Sequence, residues 1–553
     1  MTLALHDLLP ARLRRSWTVD GTCPDLDLYS LYRAHQVADP HRTAVVDAKG
    51  KLCYTALDRK VRSLAAGLTG LGVRPGDVVG VQLPAGRHAV MADLALAAIG
   101  AVALPFPVGR GRREAASLLA RSEAVAVLAP VGHAGSRPAE DLLALRGELP
   151  LLRWVIAAGP GDAPEGCVPL AGLLRTDAGE FRPGRPDPDA AVRILVSSGS
   201  EAEPKMVAYS HNALAGGRGN FLASLLPDGR PPRCLFLVPL ASAFGSNGTA
   251  VALARHGGTL VLLERFTADA ALDAIVAHEP THVLGVPTMI RMMLDRLAEQ
   301  PRALPSPTAL VLGGAVLDAA TAAEARRVFG CPVVNLYGSA DGVNCHTGLE
   351  DPAGELDGPG VWAGRPDPRV ADIRIASPDA PRHAPMAEVP AGTVGEIVAR
   401  GPMTPLCYVG APDLDARYRT ADGWVRTGDL GLLGPDGGLR VVGRLKDVVI
   451  RGGANISPAE VEVELATHPL VRDVVCVGVP DPLMGERLAA CVVSRDGRGL
   501  TLDQLGAHLD ARGLERRKHP EVLLLADELP LTPAGKPDRA ALRERCAAGR
   551  VAA

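Results

Sequence analysis

From about residue 190 the chain alternates short, wholly apolar runs with segments whose apolar positions recur at helical spacing. AVRILV (191–196), CLFLV (234–238), TLVLL (259–263), HVLGV (282–286), ALVLGG (309–314) and PVVNLYG (332–338) predict strands buried on both faces. Between several of them, ADAALDAIVAHEP and PTMIRMMLDRLAEQ predict amphipathic helices. Such alternation implies βαβ units and a mostly parallel sheet. An earlier set, DVVGVQL (77–83), AVALPFP (101–107) and AVAVLAP (124–130), repeats the pattern around HAVMADLALAAIGA. The expectation is an α/β fold with two such layers, joined near the Pro-rich FRPGRPDPDAA (181–191).

After residue 385 the texture changes. TVGEIVARG, YRTADGWVRTGDLG and GGLRVVG read as short strands with Gly and Asp turns, a small β-barrel region. Beyond GRLKDVVIRGG the pattern predicts a compact α+β tail. It holds a helix (SPAEVEVELATHP), three strands (DVVCVGV, LAACVVS, EVLLLAD) and helices near 502–512 and 538–547. The expected organisation is a large N-terminal domain, 1–445, and a small mobile C-terminal domain, 446–553, with a hinge near Lys446.

Composition narrows the function classes. A chain of 553 residues exceeds one compact core. With 47% hydrophobic and 22% charged residues it suits a soluble enzyme. A net charge of −3, with no long run of one sign, argues against nucleic acid or an anionic membrane as partner. Aromatic residues, at 3%, supply no stacking platform for single strands. The ten Cys include no C-x-x-C pair, so zinc and redox motifs have no local support. Cys345-His346 lacks the further partners a metal needs. Dispersed thiols suit a reducing compartment. The N-terminal MTLALHDLLPARLRR is broken by His6, Asp7 and Pro10, a poor signal peptide, and no run is long enough to span a membrane. The cytoplasm is the expected location, for a monomer or a homodimer.

Only seven of the 59 basic residues are Lys, and three of those sit in Gly- or Pro-punctuated segments: SSGSEAEPKM, GRLKDVVIRGG and LTPAGKPDR. A compact ammonium on a flexible stem suits a phosphate or carboxylate that moves. Ser197-Ser198-Gly199-Ser200-Glu201-Ala202-Glu203-Pro204-Lys205 follows the strand AVRILV. It offers backbone N–H groups, hydroxyls and an ammonium to a polyphosphate; the same composition equally makes a polar β-turn. Neither the Walker A spacing nor the Gly-x-Ser-x-Gly elbow is present.

The loop resembles the phosphate-binding loop of the adenylate-forming superfamily, which includes acyl- and aryl-CoA synthetases, peptide-synthetase adenylation domains and luciferases. The resemblance continues in order along most of the chain. Asn335-Leu336-Tyr337-Gly338-Ser339-Ala340-Asp341 resembles the segment that holds adenine and magnesium. Gly395-Glu396 with Arg400-Gly401, then Arg426-Thr427-Gly428-Asp429, resemble the next two motifs, the second of them ribose-binding. Gly443-Arg444-Leu445-Lys446-Asp447 with Arg451-Gly452-Gly453 resembles the hinge, and Pro530 to Lys536 the catalytic-lysine loop.

This resemblance implies ATP and Mg²⁺, and attack by a carboxylate on the α-phosphate to give an acyl-adenylate and pyrophosphate. Two anions must meet, so positive charge and positioning dominate. By the same resemblance Lys536 is the catalytic residue, and Ser197, Ser198, Gly199, Ser200 and Lys205 hold the phosphates. Tyr337 stacks on adenine, with Gly313, Gly314, Asn335, Leu336, Gly338 and Ser339 around the nucleotide. Asp429 accepts the ribose hydroxyls beside Arg444, and Asp341 holds the metal. Three features depart from the family pattern. Glu201 and Glu203 share the phosphate loop, Asp341 stands where Glu is usual, and Met206 replaces Gly.

Resemblance also implies rotation of the C-terminal domain about Lys446 after adenylation, withdrawing Lys536 and bringing Gly452 and Gly453 to a pantetheine thiol. No Asp-Ser carrier-attachment motif is present, so the expected acceptor is CoA or the phosphopantetheine of a free-standing carrier protein. Residues 239–248, PLASAFGSNG, occupy the acid-pocket position and contain no Asp to pair an α-ammonium. With Gly342-Val343-Asn344 after the Tyr337 segment, the chain is most similar to stand-alone aryl-acid adenylases. The expected substrate is a flat aryl or heteroaryl acid, or another compact carboxylate. Ser242, Ala243, Phe244, Ser246, Asn247, Val286, Gly314, Ser339 and Val343 are candidate wall residues. His211 is read as structural, beside Ser210 as a helix cap. Rival readings are a CoA ligase for a medium or branched acid, a β-amino acid adenylase, and a nucleotide-binding protein without catalysis.

Overall fold

The computed structural model describes residues 5–197, 204–351, 360–378, 380–381, 385–451, 454–495, 499–531 and 537–551. Two eight-stranded sheets, a five-stranded antiparallel sheet and a sheet formed within residues 449–525 make up its β structure. The apolar runs become strands as expected: Ala191–Val196, Thr259–Leu262, His282–Gly285, Ala309–Gly313 and Val333–Gly338 are almost wholly buried. Parallel strands covered by helices on both faces have no polar side, which is why these runs do not alternate.

Helix Arg87–Ile99 buries ten of its residues, among them Met91, Leu94 and Leu96. A helix that is apolar all round has no solvent face, and its alanines let neighbouring helices approach. It packs against helices Leu28–Ala38 and Tyr54–Gly70 within the largest hydrophobic core.

The division between the two large sheets corrects one expectation. Strand Ala191–Val196 does not begin the second layer. It pairs in parallel with Val102–Pro105 of the first, through Ala103 and Arg193, and antiparallel with Met206–Ser210. Conversely, the hairpin Thr43–Asp47/Gly50–Cys53 joins the second sheet, where Val45 pairs with Leu260. Pairing across long stretches of chain decides sheet membership, and a run's own apolar pattern carries no mark of its partner.

Gly395–Arg400, Val425–Leu433 and Leu439–Arg444 lie in the five-stranded antiparallel sheet. The tail of the chain forms its own sheet around the pair Val471–Asp481 and Gly485–Ser494, covered by helices Pro458–Ala466, Leu502–Ala511 and Arg539–Val551. Arg291 on helix Pro287–Glu299 reaches this tail through an ion pair to Asp473 at 2.9 Å.

Candidate active site

The site forms where several strands end, the usual place for a ligand crevice in such folds. Strand Ala191–Val196 runs into the segment expected to bind phosphate, of which Ser197, Pro204 and Lys205 lie within the described residues. Ser197 N–H donates to Lys205 O at 2.9 Å, and Lys205 N–H to Ser197 Oγ at 3.3 Å, closing the loop like a clasp. Ser198, Gly199, Ser200, Glu201 and Glu203 lie outside the described residues, as do Gly452, Gly453 and Lys536.

Lys205 points away from solvent. Its Nζ lies 3.6 Å from Asp341 Oδ1, each side chain being 12% exposed. The ammonium also stands 3.6 Å from the centre of the Tyr418 ring and 5.5 Å from that of Tyr408. Tyr408 donates its hydroxyl to the same Asp341 Oδ1 at 2.6 Å. A lysine–carboxylate pair at this separation attracts by about 4 kcal/mol at an effective dielectric of about 20, before desolvation is charged against it. Burial and the Asp341 charge push the Tyr408 hydroxyl well above its ordinary range, so it stays a donor.

Asp341 is set by a turn that follows strand Val333–Gly338. Ser339 N–H bonds Val343 O at 3.1 Å, and Asp341 N–H bonds Ser339 Oγ at 3.0 Å. Among the described residues no three His, Cys, Asp or Glu side chains could hold a metal together. A divalent ion here would take Asp341 as one ligand and complete its shell with phosphate oxygens and water, a set that suits Mg²⁺.

A second cluster gathers around Asp429. Asp429 and Arg444 are directly opposite on paired strands, with Arg444 Nε 3.0 Å from Asp429 Oδ1. Tyr337 donates its hydroxyl to Asp429 Oδ2 at 2.8 Å. Burial raises the Asp429 carboxyl above its usual range, against the pull of Arg444. The turn carrying Asp429 is locked from below. Buried Arg426 donates Nε to Glu396 Oε2 at 2.7 Å, and Glu396 Oε1 accepts Gly428 N–H at 3.1 Å. Gly428 has φ +73°, a left-handed conformation that favours glycine. Thr427 Oγ1 accepts Asp429 N–H at 3.0 Å and donates to Ile397 O.

The other residues expected around the nucleotide divide into two groups. Gly313 ends its strand and Gly314, φ +83°, leaves it exposed, so backbone is open to a ligand there. Gly338 is also exposed. Asn335 and Leu336 are buried, and Asn335 spends its amide on Trp362 O at 2.7 Å. They hold the strand in place. Lys446 sits in the turn Leu445–Asp447. Burial, then the charge of Arg444, lowers its ammonium below the usual lysine range, with Lys205 adding to the effect.

Residues 239–248 form a tight double turn. Ser242 Oγ donates to Pro239 O at 2.8 Å and accepts Gly245 N–H at 2.9 Å. Ser246 Oγ donates to Ala243 O at 2.6 Å, and Asn247 Nδ2 to Phe244 O at 2.8 Å. Asn247 Oδ1 is buried without a partner among the described residues. Ser242, Ala243 and Phe244 are partly exposed, whereas Ser246, Asn247, Val286 and Val343 are buried. Ser210 Oγ accepts Ala213 N–H, the capping bond expected of it, at the head of a π-helical turn, Ala213–Arg218. His211 is buried and accepts Leu28 N–H at Nδ1.

Four residues of this site escaped sequence reasoning: Tyr209, Arg218, Tyr408 and Tyr418. The chain has only seven Tyr, so the rarity of the three tyrosines was a usable signal; Arg218 carried none.

The AMP-binding enzyme family matches residues 33–409, and the AMP-binding enzyme C-terminal domain matches 460–536. Triostin synthetase I of Streptomyces triostinicus is 34% identical over 504 residues, covering 91% of either chain. The salicyl-AMP ligase / salicyl-S-ArCP synthetase of Mycobacterium tuberculosis is 32% identical over 520 residues, 91% of this chain and 88% of its own. ATP-bound MatB from Rhodopseudomonas palustris shares the fold, with a TM-score of 0.80 at 24% identity over 94% of this chain and 99% of that one. Among the described residues no helix is long and apolar enough to cross a membrane. The chain belongs to the AMP-binding enzyme family and is an adenylate-forming acid–thiol ligase.

Proposed function

We propose that the protein activates a compact aryl or heteroaryl carboxylic acid with ATP. It then passes the acyl group to the phosphopantetheine thiol of a separate carrier protein, or to CoA, in the assembly of a secondary metabolite. The observation that carries the nucleotide half is the fixed carboxylate of Asp429, buried, held between Tyr337 and Arg444, and aimed by the Arg426–Glu396 pair. Such a carboxylate accepts vicinal hydroxyls without reorganising.

In this reading Lys205 leaves Asp341 for the phosphates of ATP, Ser197 and the loop hydroxyls supply further donors, and Lys536 bridges the carboxylate and the α-phosphate. Mg²⁺, held by Asp341 and the phosphates, would neutralise phosphate charge. The oxygen of the acid attacks the α-phosphorus, the bond to pyrophosphate breaks, and the acyl-adenylate remains. Residues 1–445 bind nucleotide and acid; residues 446–553 carry Lys536 and turn about Lys446, so that Gly452 and Gly453 come to line the path of the thiol.

An aryl acid is favoured over an amino acid by the charge at residues 239–248. Two guanidinium groups bond that segment, Arg193 to Leu240 O and Arg218 to Ala243 O and Ser246 Oγ; Arg193 is neutralised by Asp93, and Arg218 would repel an ammonium. The salicyl relative points the same way. All ten Cys are free thiols, which suits the cytoplasm. Acid-dependent exchange of labelled pyrophosphate into ATP, across aryl, β-amino and short aliphatic acids, tests the reading. Aryl acids should give the fastest exchange; faster exchange with β-amino or aliphatic acids would replace this substrate assignment.

A further inference from the structure

Arg218 is 5% exposed and, among the described residues, holds no carboxylate. The other arginines buried as deeply, at 7% exposure or less, are each paired: Arg14 with Asp7, Arg193 with Asp93, Arg419 with Asp415 and Arg426 with Glu396. Arg218 instead meets neutral oxygens. Nη1 donates to Ala243 O at 2.8 Å and to Ser246 Oγ at 3.1 Å, and Nη2 lies 3.5 Å from Tyr209 Oη. Its Nε–H is buried with no partner among the described residues. The guanidinium also lies 5.0 Å from the centre of the Tyr209 ring.

A buried cation without a counter-charge costs folding free energy, and an orphan donor adds to the cost. A residue kept only to fill space would do so more cheaply as an apolar side chain. Its position suggests what completes it. Ala243 and Ser246 belong to the segment read as the acid pocket. Tyr209 donates its hydroxyl to Ala340 O at 2.9 Å, next to Asp341. The unmatched charge therefore sits between the acid pocket and the phosphate side of the site.

We propose that Arg218 is a specificity-determining residue, and that the acid carries a second acceptor beside the carboxyl to be activated. A ring hydroxyl or phenolate, a ring nitrogen or a second carboxylate would each supply it. A planar guanidinium with free donors suits such a group better than an ammonium would. The inference rests on the acid-activation reading above and narrows its substrate.

The test compares kcat/KM in pyrophosphate exchange for benzoate, 2-hydroxybenzoate, phthalate and pyridine-2-carboxylate. At least one acceptor-bearing acid should exceed benzoate by about 10- to 100-fold, the range expected of one charge-assisted hydrogen bond. In Arg218→Met the ratio should collapse towards one, and in Arg218→Lys only part of it should survive. If the wild-type enzyme uses benzoate as well as all three others, the inference fails. It fails equally if Arg218→Met slows every acid alike and leaves the ratio unchanged, as a packing role would. Should Arg218→Met not fold, the wild-type panel decides alone. Absence of exchange with every acid, here and in the broader panel, would overturn acid activation itself and this inference with it.

Discussion

Tyr408 donates its hydroxyl to Asp341 Oδ1 at 2.6 Å, the same oxygen that faces the Lys205 ammonium. The carboxylate is thus shared between a neutral donor and a cation. Tyr408→Phe should leave Lys205 as its main partner and tighten that pair, making the ammonium less available to phosphate. The expected result is a rise of about 3- to 10-fold in the KM for ATP, equivalent to roughly 1 kcal/mol. Exchange kinetics at fixed Mg²⁺ measure it; an unchanged KM would separate Lys205 from phosphate binding.

Asp429 gives a pH signature. Its carboxyl titrates above the usual range because burial penalises its charge. The ionised form accepts ribose hydroxyls more strongly than the protonated carboxyl, so ATP affinity should be full above that raised pKa and fall as pH drops through it. In Asp429→Asn affinity should be weaker by about 10-fold or more, and this acid limb should disappear. Equilibrium binding of ATP from pH 4 to 8 distinguishes the two proteins.

The Arg291–Asp473 ion pair ties helix Pro287–Glu299 to the tail sheet. Both side chains are about a third exposed or less, and such a pair contributes about 1 kcal/mol or less to stability. Rotation of the tail would break it. Asp473→Ala should therefore leave the melting temperature almost unchanged and alter the relative rates of adenylation and thioester formation by a few-fold. Lys536→Ala should reduce adenylation by about 100-fold or more while sparing thioester formation from preformed adenylate. Equal loss of both steps in Lys536→Ala would refute rotation.

Two buried histidines predict acid sensitivity. Burial lowers His211 and His346 to about 4. The unfolded chain takes up these protons near the ordinary histidine value, so between the two pKa values it binds more protons than the fold does. Stability is full above about pH 6.5 and declines towards pH 4, by up to about 3 kcal/mol for each histidine. Urea midpoints should fall over this window, and less steeply in His211→Gln than in the parent protein.

Much of the fold was legible because parallel strands write themselves as unbroken apolar runs. The motifs were legible through their resemblance to the adenylate-forming superfamily, and the family matches over residues 33–409 and 460–536 bear out the family. What stayed hidden was contact between distant segments. Nothing near Tyr408 marks it as a partner of Asp341, and Arg218 is one of many arginines until its lack of a carboxylate is seen. Lysine is rare in this chain, and three of its seven copies mark Gly- or Pro-punctuated loops. Tyrosine is equally rare, and beside Tyr337 three more of its seven copies, Tyr209, Tyr408 and Tyr418, lie in the site.

The hairpin Thr43–Asp47/Gly50–Cys53 sits at the edge of a sheet whose other strands all come from residues 233–346. At a synthesis rate of about 5–20 residues per second, Val45 waits about 10–40 s for Leu260 to be made. Over that interval the emerging N-terminal segment must shield an unfinished edge. Division of the gene at the Pro-rich segment 181–191 would leave each fragment lacking strands that belong to its own sheet. The two fragments should recover activity only when produced together.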